Sequence, residues 1–314
     1  MARYYDLDRH SKKTDPINSC NTTVVSSPPP YYYKEESLSS QPKERPLCSR
    51  SQVQKGRWMK NNETPPFFGG QGKRCRNLDY LTEGMRINYE WEPYDHSTCE
   101  FGKWDADNFC SIMKGATIML VGDSLSFEHC RNIVSSFGKN VQSLNNQMTL
   151  VQDICNRETQ QVYVTFRRQD ALKNMGSFLD EKFPIVLILN RGAHPTPDDD
   201  LVIDLQDTFL HVQNWQTTCK EYGIKCHFFL RTTVPGHPGY GNFTKPVNNL
   251  TQMEEMVSKN ICVHPKYRWT GIKRQNELAL NELQKWSNRI DYQVIDAYHV
   301  NTLRPDEHAK PNID

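Results

Sequence analysis

The residues with the most chemical promise are Gly122-Asp123-Ser124-Leu125. An apolar run, Ile118, Met119, Leu120 and Val121, precedes them and is short enough for a buried strand. Beyond them Leu125, His129, Asn132, Ile133 and Phe137 recur at three- and four-residue spacings, the pattern of an amphipathic helix. A serine at such a handover holds its hydroxyl at the carboxyl edge of a sheet and its own N–H at a helix N-terminus, where partial positive charge meets a developing oxyanion. The chemistry would be nucleophilic acyl transfer, with a histidine taking the hydroxyl proton and an aspartate fixing that imidazole's tautomer. The competing reading of Asp123 and Ser124 is a plain helix cap.

The elements that must position this serine follow in order. Val162–Phe166, Pro184–Leu189, Cys226–Leu230 and Tyr292–Ile295 read as further strands. Leu201–Tyr222 and the stretch from Ile272 to Trp286 read as amphipathic helices. Strands apolar on both faces and alternating with helices predict an α/β fold, a three-layer α/β/α sandwich with a mostly parallel sheet. Such sheets bind ligands beyond the carboxyl ends of their strands, and Ser124, Arg168, Asn190, Arg231 and Asp296 follow those ends. Asn190 either offers a side-chain N–H to an oxyanion near Ser124 or is a turn residue. His194 and His237 lie in loops on the same edge and are candidate bases, neither with a distinguishing partner in sequence. Residues 235–267, with two N-x-S/T acceptors and many prolines and glycines, read as a long surface excursion.

Ahead of the first strand, residues 1–73 are rich in Ser, Pro, Lys and Gln and predict a disordered linker or stalk. The domain proper is expected over 74–314, opening with a Cys/Trp-rich collar at 74–114. Its clustered aromatics, Trp91 and Trp104 among them, either pack on the core or line a sugar-binding groove. The net charge of +1 gives no reason to expect a nucleic-acid or membrane-surface partner. Ten cysteines without a C-x-x-C pair favour disulfides over a metal site, and acceptors at Asn21, Asn62, Asn242 and Asn249 agree with an oxidising lumen. Against this, the first residues hold no apolar leader segment and no run of eighteen apolar residues occurs. Either the protein is not secreted or a signal or membrane anchor lies outside this chain.

Several ordered motifs then coincide. They are Trp91-x-Pro93 with Cys99, Asp105 with Cys110, V-G-D-S-L at 121–125, L-N-R-G-A-H at 189–194, R-T-T-x-P-G-H-P at 231–238 and L-R-P-D-x-H at 303–308. Over roughly residues 75–314 the chain resembles the trichome birefringence-like polysaccharide O-acetyltransferases and the wider PC-esterase group, within the SGNH (GDSL-type) esterase fold.

The resemblance implies an O-acetyltransferase of the secretory pathway, in the Golgi or outside the cell. It would have a glycan acceptor, an acyl donor such as acetyl-CoA as co-substrate, no bound cofactor or metal, and an acyl-enzyme at Ser124. Gly122, Asp123, Asn190 and Gly192 would surround the oxyanion, and Arg168, His194, Arg231, His237, Arg304, Asp306 and His308 would support the site or the substrate. Asp314 matches the first letter of the family's D-C-x-H motif. On that match the general-base histidine lies beyond the last residue, and this chain alone is expected not to turn over. Two in-chain pairs, Asp296 with His299 and Asp306 with His308, are weaker substitutes. A departure from the family is Phe127-Glu128, where an arginine often follows the serine. A carbohydrate acetyl esterase of the same fold and an inactive glycan-binding member are the alternatives.

Overall fold

Four apolar runs line up side by side to form the centre of a six-stranded sheet. The computed structural model describes residues 46–49, 52–53, 55–60, 89–94, 98–100, 102, 104–139, 149–155, 161–172, 175–176, 179, 184–194, 196–236, 246–259 and 271–305, all within one unit spanning 34–314. The strands are β1 (Gly56–Lys60), β2 (Tyr89–Pro93), β3 (Thr117–Gly122), β4 (Thr149–Asp153), β5 (Tyr163–Arg168), β6 (Val186–Leu189), β7 (His227–Arg231) and β8 (Tyr292–Ile295). The helices are α1 (Ala106–Ile112), α2 (Ser124–Ser136), α3 (Asp198–Glu221), α4 (Leu250–Lys259), α5 (Ile272–Lys285) and α6 (Ala297–Thr302).

The sheet runs β4-β5-β3-β6-β7-β8, parallel except for β4, which pairs antiparallel with β5. Alternation along each strand divides the core. Met119, Val121, Leu187, Leu189, Phe228 and Leu230 pack against Leu205, Phe209, Val212 and Trp215 of α3 and Leu283 of α5. Ile118, Leu120, Val164, Phe166 and Ile188 face the other way, onto Phe127, Cys130 and Val134 of α2. The expected mixed α/β layering with a mostly parallel sheet is therefore present, with helices on both faces.

Two expectations need correction. The disordered segment expected from composition runs to residue 73, yet β1 lies inside it and pairs antiparallel with β2, Trp58 opposite Trp91. Composition averaged over 73 residues hides this strand, because its stability comes from elsewhere. The Cys48–Cys99 disulfide holds the collar, Trp58 stands edge-on to Trp91 at 5.5 Å, and Trp58 Nε1 donates to the Val300 carbonyl at 3.1 Å. The long excursion after Pro235 also contains a helix, α4, anchored by fully buried Met253.

Trp104, Phe109 and Phe137 stack on one another at 5.2–5.4 Å beside the C-terminal end of α2. Here the packing reading of the collar aromatics applies, at the opposite end of the helix from Ser124. Disulfides Cys110–Cys155 and Cys219–Cys226 complete the set among the described residues, in keeping with an oxidising, secretory or extracellular environment. No described helix is long and apolar enough to cross a membrane.

Candidate active site

β3 is the strand where chain direction across the sheet reverses: its partner on one side is β5 and on the other β6. At such a switch point the loops leaving neighbouring strands part and open a crevice. Main-chain pairing continues past the strand ends there, with Gln169 N–H bonding Gly122 O at 2.8 Å and Asn190 N–H bonding Val121 O at 3.0 Å. Ser124 stands there as the first residue of α2, partly exposed. Among the described residues neither its hydroxyl nor its N–H makes a hydrogen bond. The unengaged N–H is one of the free donors that every helix start presents.

Asp123 caps α2 as the plain reading expects, Oδ1 accepting from Leu125 N–H at 2.9 Å. Its other oxygen does something further: Oδ2 accepts from Ala193 N–H at 2.8 Å, joining the β3 loop to the β6 loop. The carboxylate is 1% exposed, so each oxygen needs such a partner. Gly192 makes the junction possible. It sits at φ +87°, and a Cβ there would fall 2.2–2.7 Å from the Asp123 carboxylate. Gly122 is equally confined, since a Cβ would lie 2.3 Å from Ser126 Oγ and 2.4 Å from Asn190 O. Both glycines thus shape the loop by close approach.

Asn190 differs from its expected role. Its Nδ2 donates to Arg231 O at 2.8 Å and to Thr233 Oγ1 at 3.1 Å, while Oδ1 accepts from Arg231 Nη2 at 3.0 Å. Both amide hydrogens are used inward, so Asn190 ties the β6 loop to β7, and an oxyanion would have to displace one of these bonds to use it. Thr233 extends the tie through Oγ1 to Gly192 O at 3.1 Å, and its main-chain N–H and C=O pair with the side-chain amide of Asn276 of α5.

Arg231 is buried beneath this layer and also reaches Ser126 Oγ at 3.4 Å. Burial lowers its pKa to about 10, with the Asp123 charge opposing the shift. His129, one turn into α2, is held neutral: burial, and then the Arg231 charge, lower its pKa to about 4, and its Nδ1 finds no hydrogen-bond partner among the described residues.

At the same sheet edge, Arg168 grips Asp170 through Nε and Nη2 at 3.0 and 3.2 Å. His194 Nε2 lies 3.6 Å from Asp170 Oδ2 and 4.0 Å from Asp123 Oδ2. His194 thus stands between carboxylates that follow β5 and β3. Asp170 was not among the expected site residues; its signal was the close spacing to Arg168 after a strand.

Arg304, by contrast, is buried in the collar, its guanidinium 4.6 Å from the Trp58 ring centroid and 5.2 Å from that of Tyr89. Asp296 caps α6, its Oδ1 accepting from His299 N–H at 3.3 Å and from Thr232 Oγ1 at 3.1 Å. His237, Asp306, His308 and Asp314 lie outside the described residues. No grouping of three or more His, Cys, Asp or Glu suited to a metal ion occurs among the described residues.

No family model matches this chain, and no curated protein matches it.

Proposed function

We propose that the chain carries an SGNH-type serine acyl-transfer site and that the whole protein is an O-acetyltransferase acting on polysaccharide hydroxyls. The observation that carries this reading is the state of Ser124, with hydroxyl and N–H both unengaged among the described residues, on a loop locked by the Asp123–Ala193 bond at the switch point. A helix cap alone would need Asp123 and leave the identity of residue 124 open.

In the proposed reaction the hydroxyl attacks the acyl carbonyl and gives up its proton to a histidine, which returns it to the departing donor group. A sugar hydroxyl, deprotonated by the same histidine, then attacks the Ser124 ester, and the serine leaves with that proton. The Ser124 N–H, backed by the α2 dipole, stabilises the tetrahedral oxyanion; one such donor is worth about 3 kcal/mol. The resemblance to the PC-esterase group supplies the substrate class and assigns Asp314 to the orientation of that histidine.

The test incubates the whole protein, not this chain alone, with an activated acetyl ester and an oligosaccharide. Expected are an acetylated peptide containing Ser124 and a mass gain on the sugar, with both lost in Ser124→Ala while the thermal midpoint is unchanged. Free acetate without sugar mass gain would make the protein an esterase of the same type. Equal labelling in Ser124→Ala would end the nucleophile assignment.

A further inference from the structure

We infer that Asn249 is a site of N-linked glycosylation whose amide carries the glycan and the helix cap at once. The chain reads Asn249-Leu250-Thr251, an acceptor triplet without proline at its centre. Such triplets arise by chance, and placement distinguishes this one. Asn249 and Thr251 are both exposed, at the start of α4.

The two halves of the Asn249 amide are separated by function. Oδ1 accepts the Gln252 N–H at 3.0 Å, an asparagine N-cap. Because the partner is a donor, only the oxygen can face it, which fixes the orientation of the planar amide. Nδ2 is therefore on the branch away from that bond and makes no hydrogen bond among the described residues.

N-glycosylation uses that nitrogen alone. Nδ2 attacks the anomeric carbon of an oligosaccharide carried on a lipid diphosphate, the C–O bond to the diphosphate breaks, and the lipid diphosphate leaves. One amide proton is lost to base. Oδ1 keeps its lone pairs, so the cap survives modification.

Two further observations frame the site. Three disulfides agree with folding in an oxidising compartment, the kind in which this transfer occurs. Val247 N–H bonds Leu303 O at 2.9 Å, so the attached glycan would stand beside the Leu303-Arg304 segment. Nothing in this inference depends on Ser124.

The test expresses the chain through the secretory route of a eukaryotic host and maps the peptide containing residue 249 before and after peptide-N-glycosidase. The expected result is a glycosylated peptide whose enzymatic release leaves aspartate at 249. Thr251→Ala removes the acceptor without touching the cap, and Asn249→Asp retains a capping oxygen. Each is expected to lose one glycan from the intact mass and to keep the thermal midpoint of the deglycosylated wild type. Recovery of a bare 249 peptide overturns the inference, whether or not the peptides holding Asn21, Asn62 or Asn242 are modified. The wild-type peptide is read directly, so a variant that fails to fold does not obscure the outcome.

Discussion

Helix α2 is finished in opposite ways at its two ends. At its start the fixings are polar: the Asp123 carboxylate spans two loops, Gly122 and Gly192 admit close approach, and Arg231 and Asn190 interlock beneath. At its finish, thirteen residues and about 20 Å away, they are apolar and covalent. Trp104 and Phe109 stack on Phe137, and the Cys110–Cys155 bond clamps α1 to the turn after β4. Hydrogen bonds fix direction and leave Ser124 with open donors among the described residues; ring packing and a disulfide supply stability without directing anything. The end that carries the proposed nucleophile is held by geometry, and the other end anchors it.

That contrast can be broken or sharpened experimentally. Replacing Cys110 and Cys155 together by alanine should have the largest effect on stability. The 45-residue separation predicts a loss of roughly 4 kcal/mol on the chain-entropy account. Measured by urea unfolding, that loss should leave Ser124 acylation per folded molecule intact; a matching fall in acylation would mean that the ends are not separable.

Gly192→Ala comes next, at roughly 3 kcal/mol, from a left-handed backbone position plus overlap with the Asp123 carboxylate. Unlike the disulfide variant, it should also depress acylation. Normal acylation in a folded Gly192→Ala protein would remove Asp123 from the site's support.

His129 gives a pH test of the buried layer. The unfolded imidazole takes up its proton near 6.5 and the folded one only near 4. Below 6.5 the unfolded chain therefore binds more protons, and stability falls as pH drops towards 4, by ~2–3 kcal/mol in all. The difference in urea midpoint between wild type and His129→Gln, followed from pH 7 to 4.5, should carry this slope; parallel curves would remove it. Trp104→Ala should cost least, about 1–2 kcal/mol, since the ring is 38% exposed. Its thermal midpoint should drop with acylation unchanged.

Much of the framework was legible because its signals are local. The run Y-Q-V-I is β8 with the bounds expected, and the polar residues after the strands do lie at one edge because parallel strands share a direction. β4 escaped because T-L-V-Q-D carries no apolar run and takes its conformation from pairing with β5. At the site, Ser124 could be read from its flanks. The second role of Asp123 could not, since Ala193 lies seventy residues away, although Gly192 beside it was a hint. The inward turn of the Asn190 amide depends on Arg231 and Thr233 after the neighbouring strand, which spacing alone does not reveal.

The bond from Trp58 to Val300 crosses 242 positions of sequence, and the Arg304 guanidinium sits over the rings of Trp58 and Tyr89. During synthesis, the ribosome releases the β1–β2 hairpin long before its seat exists. Until the segment around Val300 and Arg304 has emerged, Trp58 stays without its final cover, so this early pair of strands closes late.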